Sequence, residues 1–165
     1  MRGGLEDTIC AIATPAGEGG IGIVRLSGPQ ALVVVSQVVQ LRSGNPLSSV
    51  PSHTLHLADL LIPTSGKREG ARVPHNRLPV SGLLDEALVV YMKAPRSYTA
   101  EDVVEIQSHG GALVLGMVCK ICIESGARMA EPGEFTKRAF LNGRLDLSPK
   151  RKRYSIQLGP HHPPD

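Results

Sequence analysis

The stretch Thr14-Pro-Ala-Gly-Glu-Gly-Gly-Ile-Gly-Ile-Val-Arg-Leu-Ser-Gly28 decides how the rest of the chain is read. A glycine-dense turn joins two apolar runs, and one arginine, Arg25, stands inside the second. Gly17, Gly19 and Gly22 satisfy the letters of G-x-G-x-x-G, the dinucleotide fingerprint. That motif needs a strand before it and a helix directly after it, so that the pyrophosphate meets helix amides. Here the third glycine lies inside Ile21-Gly-Ile-Val-Arg-Leu, a compact β-branched run that reads as a strand. No acidic residue follows about twenty positions on, where a ribose would require it. The stretch is therefore a glycine turn between two paired strands, and the dinucleotide reading is rejected.

Outward from that turn, Thr8–Ala13 and Ile21–Leu26 are the two strands. Ser27-Gly28-Pro29 has helix-start chemistry: Ser27 can cap orphan amides, and Pro29 has no N–H to lose in a first turn. Length and that cap predict a helix over residues 30–41, although its composition also suits a strand. Residues 42–52 read as a loop and His53–Ile62 as a strand. Pro63–Gly82 is a polar loop with Lys67, Arg68, Arg72 and Arg77, long for a compact domain. Leu83–Met92 is a strong strand, and Ala94–Ser97 turns the chain. Thr99 caps a short turn, with Glu101 and Asp102 close behind. In Val103–Ser108, Val104 and Ile106 share one face, and Val103, Glu105 and Gln107 the other. Ala112–Ser125 is an almost wholly apolar helix, hence buried or covered by a partner, and Gly126 ends it. Ala127–Ala130 reads as a short strand, and Pro132-Gly133-Glu134 opens a last helix that runs to Leu141.

Hydrophobic residues are 41% of the 165, which suits one globular domain, and with aromatics at 3% and no Trp the core must be aliphatic. The net charge of +3 is local: up to Leu147 there are 14 Lys/Arg against 14 Asp/Glu, and the excess comes from Lys150–Arg153. It is therefore no sign of a nucleic-acid-binding face on the fold. Ser148–Asp165 has no period and ends in Pro and His, so residues 148–165 read as a disordered tail. Three cysteines give no disulfide framework and suggest a reducing compartment. With no leader-like start and no membrane-length apolar run, a cytoplasmic location is expected.

Few residues carry chemistry. Arg25, flanked by Ile23, Val24 and Leu26, must face solvent or find an anion, and its fork suits a carboxylate. Glu105 is either a solvated strand residue or the acceptor for a ring with two adjacent N–H donors, such as a guanine or a pterin. His109-Gly110-Gly111 exposes backbone at a helix start, which welcomes an anion. Cys119-x-x-Cys122 lies in an apolar helix, where cysteine is an ordinary small hydrophobe, so with His53-x-x-His56 it makes a poor case for zinc. The phosphate-binding motif G-x-x-x-x-G-K-[ST] does not occur.

Three longer patterns resemble one family. They are Asp7-Thr-Ile-x-Ala-x-Ala-Thr-Pro-x-Gly-x-Gly-Gly-Ile-Gly-Ile-Val-Arg-Leu-Ser-Gly28, Pro95-x-Ser97-Tyr-Thr-x-Glu-Asp-Val-Val-Glu-Ile-x-x-His-Gly-Gly111, and Pro132-Gly-Glu-Phe-Thr-x-Arg-Ala-Phe-Leu-Asn-Gly-Arg-Leu-Asp-Leu147. In order and spacing they resemble the N-terminal part of the tRNA-modifying GTPases MnmE, also called TrmE. The resemblance implies an α+β fold with a mixed sheet and packed helices over residues 1–147, similar to the tetrahydrofolate-binding domain of glycine-cleavage aminomethyltransferases. It implies a homodimer that binds 5-formyltetrahydrofolate near the dimer interface, with contacts at Arg25, Glu105 and Arg144. In the full-length family a GTPase domain with GTP, K+ and Mg2+ follows, and an FAD protein of the MnmG type joins in modifying the wobble uridine of tRNA. Those later domains have no counterpart in these residues, where Ser148-Pro149 stands in place of the family's next helix. Two other readings are a scaffold whose folate site is dead, and a free-standing folate-dependent aminomethyltransferase, whose relatives are much longer.

Overall fold

The computed structural model describes residues 6–15, 19–63 and 80–145. In chain order the elements are β1 (Ile9–Ile12), β2 (Ile21–Ser27), α1 (Ala31–Val35), β3 (Val39–Leu41), a 3-10 turn (Leu47–Ser49), β4 (Leu55–Pro63), β5 (Val80–Met92), β6 (Val103–His109), α2 (Ala112–Glu124), β7 (Arg128–Met129) and α3 (Glu134–Leu141). The strands form one seven-stranded sheet in the order β3-β4-β5-β6-β2-β1-β7. Every neighbouring pair is antiparallel except β1 with β7. The architecture is α+β with a mixed sheet, as expected.

Two expectations about the chain after β2 need correction. Residues 30–41 are not one helix: α1 holds five residues, and the chain returns to the sheet as β3, where Val39 faces Leu60 and Leu41 faces Ala58. The segment carries Val33, Val34, Val35, Val38 and Val39, and branching at Cβ restricts the side-chain rotamers a helix allows. Pairing at the free edge of β4 then decides the outcome. Nor does Ser27 cap α1. It is the last residue of β2, and its hydroxyl lies 2.6 Å from both Thr99 Oγ1 and Glu101 Oε2. The Thr8 hydroxyl instead accepts the Gln30 amide at 2.9 Å, so the helix start is tied to the chain before β1. Gly28 permits this crossing: its φ is +133°, and a Cβ there would stand 2.5 Å from the Asp7 carbonyl oxygen.

The polar loop is shorter than expected at both ends. Pro63 pairs within β4, and Val80 to Gly82 already belong to β5. The loop's middle and the expected tail at 148–165 lie outside the described residues.

Strand alternation sorts the side chains onto two faces. On the first face Cys10, Val24, Leu26, Ala87, Val89, Val104 and Ile106 join Val34 and Val35 of α1 and Leu115, Val118 and Cys122 of α2 in one aliphatic cluster. The third glycine of the opening stretch acts here: a Cβ on Gly22 would stand 2.5 Å from Leu115, so its absence lets α2 lie close against β2. No helix among the described residues is long and apolar enough to cross a membrane.

The second face is organised in cross-strand rows. Ile9, Ser27, Val103 and Met92 form one row, Ala11, Arg25, Glu105, Val90 and Leu55 the next, and Ile23, Gln107, Leu88 and Leu57 a third. Helix α3 lies over the first row, where Ile9 and Val103, with Ala139 of α3, are fully buried but lie outside the main cluster. Towards β4 the face is open, and Leu55, Leu57 and Leu88 are exposed.

Candidate functional site

Two residues singled out by sequence, Arg25 and Glu105, stand directly opposite each other on β2 and β6. Arg25 Nε donates to Glu105 Oε1 at 2.7 Å, and Nη2 lies 2.7 Å from the same oxygen. The Glu105 side chain is only 15% exposed, so it is not a solvated strand residue. Arg25's guanidinium also lies 5.7 Å from the centre of the Tyr98 ring and 5.9 Å from that of Phe135, within cation–π range. This pair occupies the row between the part covered by α3 and the open part of the face.

The aromatic pair rests on an ionic network. Arg138, on α3, has a side chain 3% exposed and donates through Nη1 to the Asp7 carbonyl at 2.8 Å. The same guanidinium pairs with the Asp7 carboxylate at 2.5 Å, with Glu134 at 3.1 Å and with Glu101 at 3.4 Å. Burial pulls Arg138 towards its neutral form, but the bonds to Asp7 and Glu134 outweigh this and leave its pKa raised. Arg128 adds a second cation, bonded to Asp7 at 2.7 Å and to Glu134 at 2.7 Å. Its hydrogen bond is the main reason Glu134 falls to about 2, and the main reason Asp7 lies below the usual carboxylate range. Tyr98 is tethered to α3 through its hydroxyl, 3.0 Å from Thr136 Oγ1, and Asn142 Nδ2 donates to the Thr99 carbonyl at 2.8 Å.

Arg144 is placed differently. It follows α3, its amide bonds the Ala139 carbonyl at 2.8 Å, and its side chain is exposed. No ion pair of Arg144 occurs among the described residues, so the geometry joins Arg25 to Glu105 and leaves Arg144 outside the pair. His109 donates its amide to Asp85 Oδ2 at 3.0 Å, and its Nδ1 lies 2.8 Å from Oδ1. Burial would raise Asp85, yet these bonds prevail and its pKa is lowered. The His109 ring thus has a structural partner.

The C-x-x-C thiols are buried in α2, with Cys119 Sγ 3.9 Å from Cys10 Sγ. Contact with Cys10 and burial push the Cys119 thiol up, which makes it a poor nucleophile. His53 and His56 bond neighbouring hydroxyls of Ser52 and Thr54. No group of His, Cys, Asp or Glu among the described residues is arranged to hold a metal.

Sequence reasoning missed Tyr98, Phe135, Arg138 and Asp7. The Glu134–Arg138 spacing of four on a predicted helix was the one available signal, since such residues are neighbours. Nothing local shows that Arg138 reaches Asp7, 131 positions away.

Fold and site together define an α+β domain with a cross-strand guanidinium–carboxylate pair held under aromatic rings. The family model for the N-terminus of the GTP-binding protein TrmE matches residues 8–144, and the chain belongs to that family. It is 53% identical over 144 residues to the tRNA modification GTPase MnmE of Moorella thermoacetica, covering 87% of this chain and 28% of that protein. It is 52% identical over 144 residues to the MnmE of Carboxydothermus hydrogenoformans, with the same coverage, and 46% identical over 142 residues to that of Bacillus subtilis, covering 86% of this chain and 28% of the relative. The chain thus spans 28% of the length of these relatives.

Proposed function

We propose that this chain is a dimerising domain that binds 5-formyltetrahydrofolate for a tRNA wobble-uridine modification system of the MnmE type. The observation that carries this reading is the Arg25–Glu105 pair, set beneath Tyr98 and Phe135 at the margin of an open sheet face. Only Oε1 of Glu105 is bonded to Arg25, which leaves Oε2 to accept from a ring that offers adjacent N–H donors. Arg25 and Arg144 supply positive charge to the ligand's carboxylates or formyl oxygen. The open patch of Leu55, Leu57 and Leu88 supports dimerisation, because a second copy seated there would border the same pair. GTP hydrolysis, K+ and Mg2+, the MnmG-type partner and tRNA belong in this proposal to the further domains of the longer relatives, and the setting is cytoplasmic.

The test is titration calorimetry with 5-formyltetrahydrofolate. Glu105→Ala removes a charged acceptor and is expected to weaken binding by about 1.5–3 kcal/mol, or at least tenfold. Equal affinity in wild type and Glu105→Ala would defeat the folate assignment. A second reading, a dimerisation module whose folate site is dead, draws on the way Arg25 and Glu105 already satisfy each other. Dimerisation by light scattering without any folate binding would favour it.

A further inference from the structure

We propose that Arg138 is the positioning residue of this site, acting through Phe135 and Tyr98 without itself touching the ligand. The proposal rests on the folate reading above and adds how the site keeps its shape. Arg138 joins three separate parts of the chain: Asp7 before β1, Glu101 before β6, and Glu134 in the first turn of α3. The last two of these parts each carry a ring that lies against Arg25. Phe135 directly follows Glu134, and it lies 5.9 Å from the Arg25 guanidinium. Tyr98 belongs to the loop that ends at Glu101, and its hydroxyl returns to Thr136. Glu101 in turn accepts from Ser27 at 2.6 Å, two residues beyond Arg25 on the same face of β2.

Only a planar fork with several donors can serve these acceptors together. An ammonium is a point charge on a flexible stem. Arg138→Lys therefore keeps the charge and loses the geometry. The aromatic rings would then drift relative to Arg25, and Arg25 would no longer be held in one orientation against Glu105.

Two measurements test this. In calorimetry with 5-formyltetrahydrofolate, Arg138→Lys is expected to bind about tenfold more weakly while its circular dichroism stays that of a folded chain. In a background carrying both Phe135→Leu and Tyr98→Leu the same change is expected to shift affinity by less than twofold, because both rings through which Arg138 acts are gone. Unchanged affinity in Arg138→Lys, or a loss of twofold or more that persists in the background lacking both rings, would overturn the proposal. The second measurement needs no ligand. The chain has no Trp, so Phe135→Trp is a single reporter. Adding Arg138→Lys is expected to raise its quenching by acrylamide at least twofold, and unchanged quenching would also overturn the proposal. Absence of folate binding in the wild type defeats the folate reading and leaves this second measurement standing.

Discussion

The two faces of this sheet are held by different physics. The face under α1 and α2 is aliphatic, and its order comes from apolar burial, with Val24, Leu26, Val89 and Ile106 fully buried. The face under α3 has a small apolar patch with a cluster of arginines and carboxylates beside it, and an open leucine-bearing part towards β4. Burial is non-directional and tolerates many aliphatic arrangements. Ion pairs cost desolvation and reward only correct geometry. The ionic face is therefore the one suited to hold a site in a defined shape, and it is where Arg25 and Glu105 lie.

The largest expected effect is on the ionic face. Arg138→Ala leaves Asp7, Glu101 and Glu134 with only Arg128 among them and is expected to cost about 3–5 kcal/mol in chemical denaturation at neutral pH. Leu26→Ala on the aliphatic face should cost about 2–4 kcal/mol, with no dependence on pH. The contrast breaks if the cost of Arg138→Ala is the same at pH 3 as at pH 7, because protonated carboxylates would no longer miss their cation.

Acid sharpens the same comparison in the wild type. Asp7 and Glu134 have folded-state pKa values below their unfolded ones, with Glu134 near 2. Groups of this kind contribute stability that is present above the unfolded pKa and lost as pH falls through the folded one. The unfolding free energy from denaturant melts should hold from neutrality to about pH 5 and then decline towards pH 2, by roughly 1–3 kcal/mol. The decline should be smaller in Asp7→Asn. A flat profile in wild type would mean that the ionic face contributes little.

The smallest effect concerns the seam between hairpin and helix. Gly22→Ala places a methyl group 2.5 Å from Leu115 and should cost about 1–3 kcal/mol through overpacking. The clash falls on the flexible end of the Leu115 side chain, so Gly22→Ala should cost less in a Leu115→Ala background than in the wild type, as thermal melts of the four chains would show.

Much of the architecture was legible because it depends on local pattern. The alternation in Val103–Ser108 placed Glu105 opposite an apolar face, and the strand character of Ile21–Leu26 disposed of the nucleotide motif. Gly126 ends α2 with φ of +114°, as its place after an apolar helix suggests. The valine-rich 30–41 segment failed because its local preference is nearly balanced, and a sheet edge provided by β4 tipped it.

The candidate site was half legible for the same reason. Residue type and strand position marked Arg25 and Glu105, since a lone charge in an apolar strand must be accounted for. Their pairing was not visible, because register across 80 residues is set by the whole sheet. By itself, then, the sequence determined every strand but β3, the aliphatic composition of the core and the family. Only the tertiary structure decided that Arg25 meets Glu105 beneath Tyr98 and Phe135, and that Arg138 binds Asp7, Glu101 and Glu134 together. Local propensity acts over a few residues, whereas an ion pair forms where distant segments bring both charges out of water at one point.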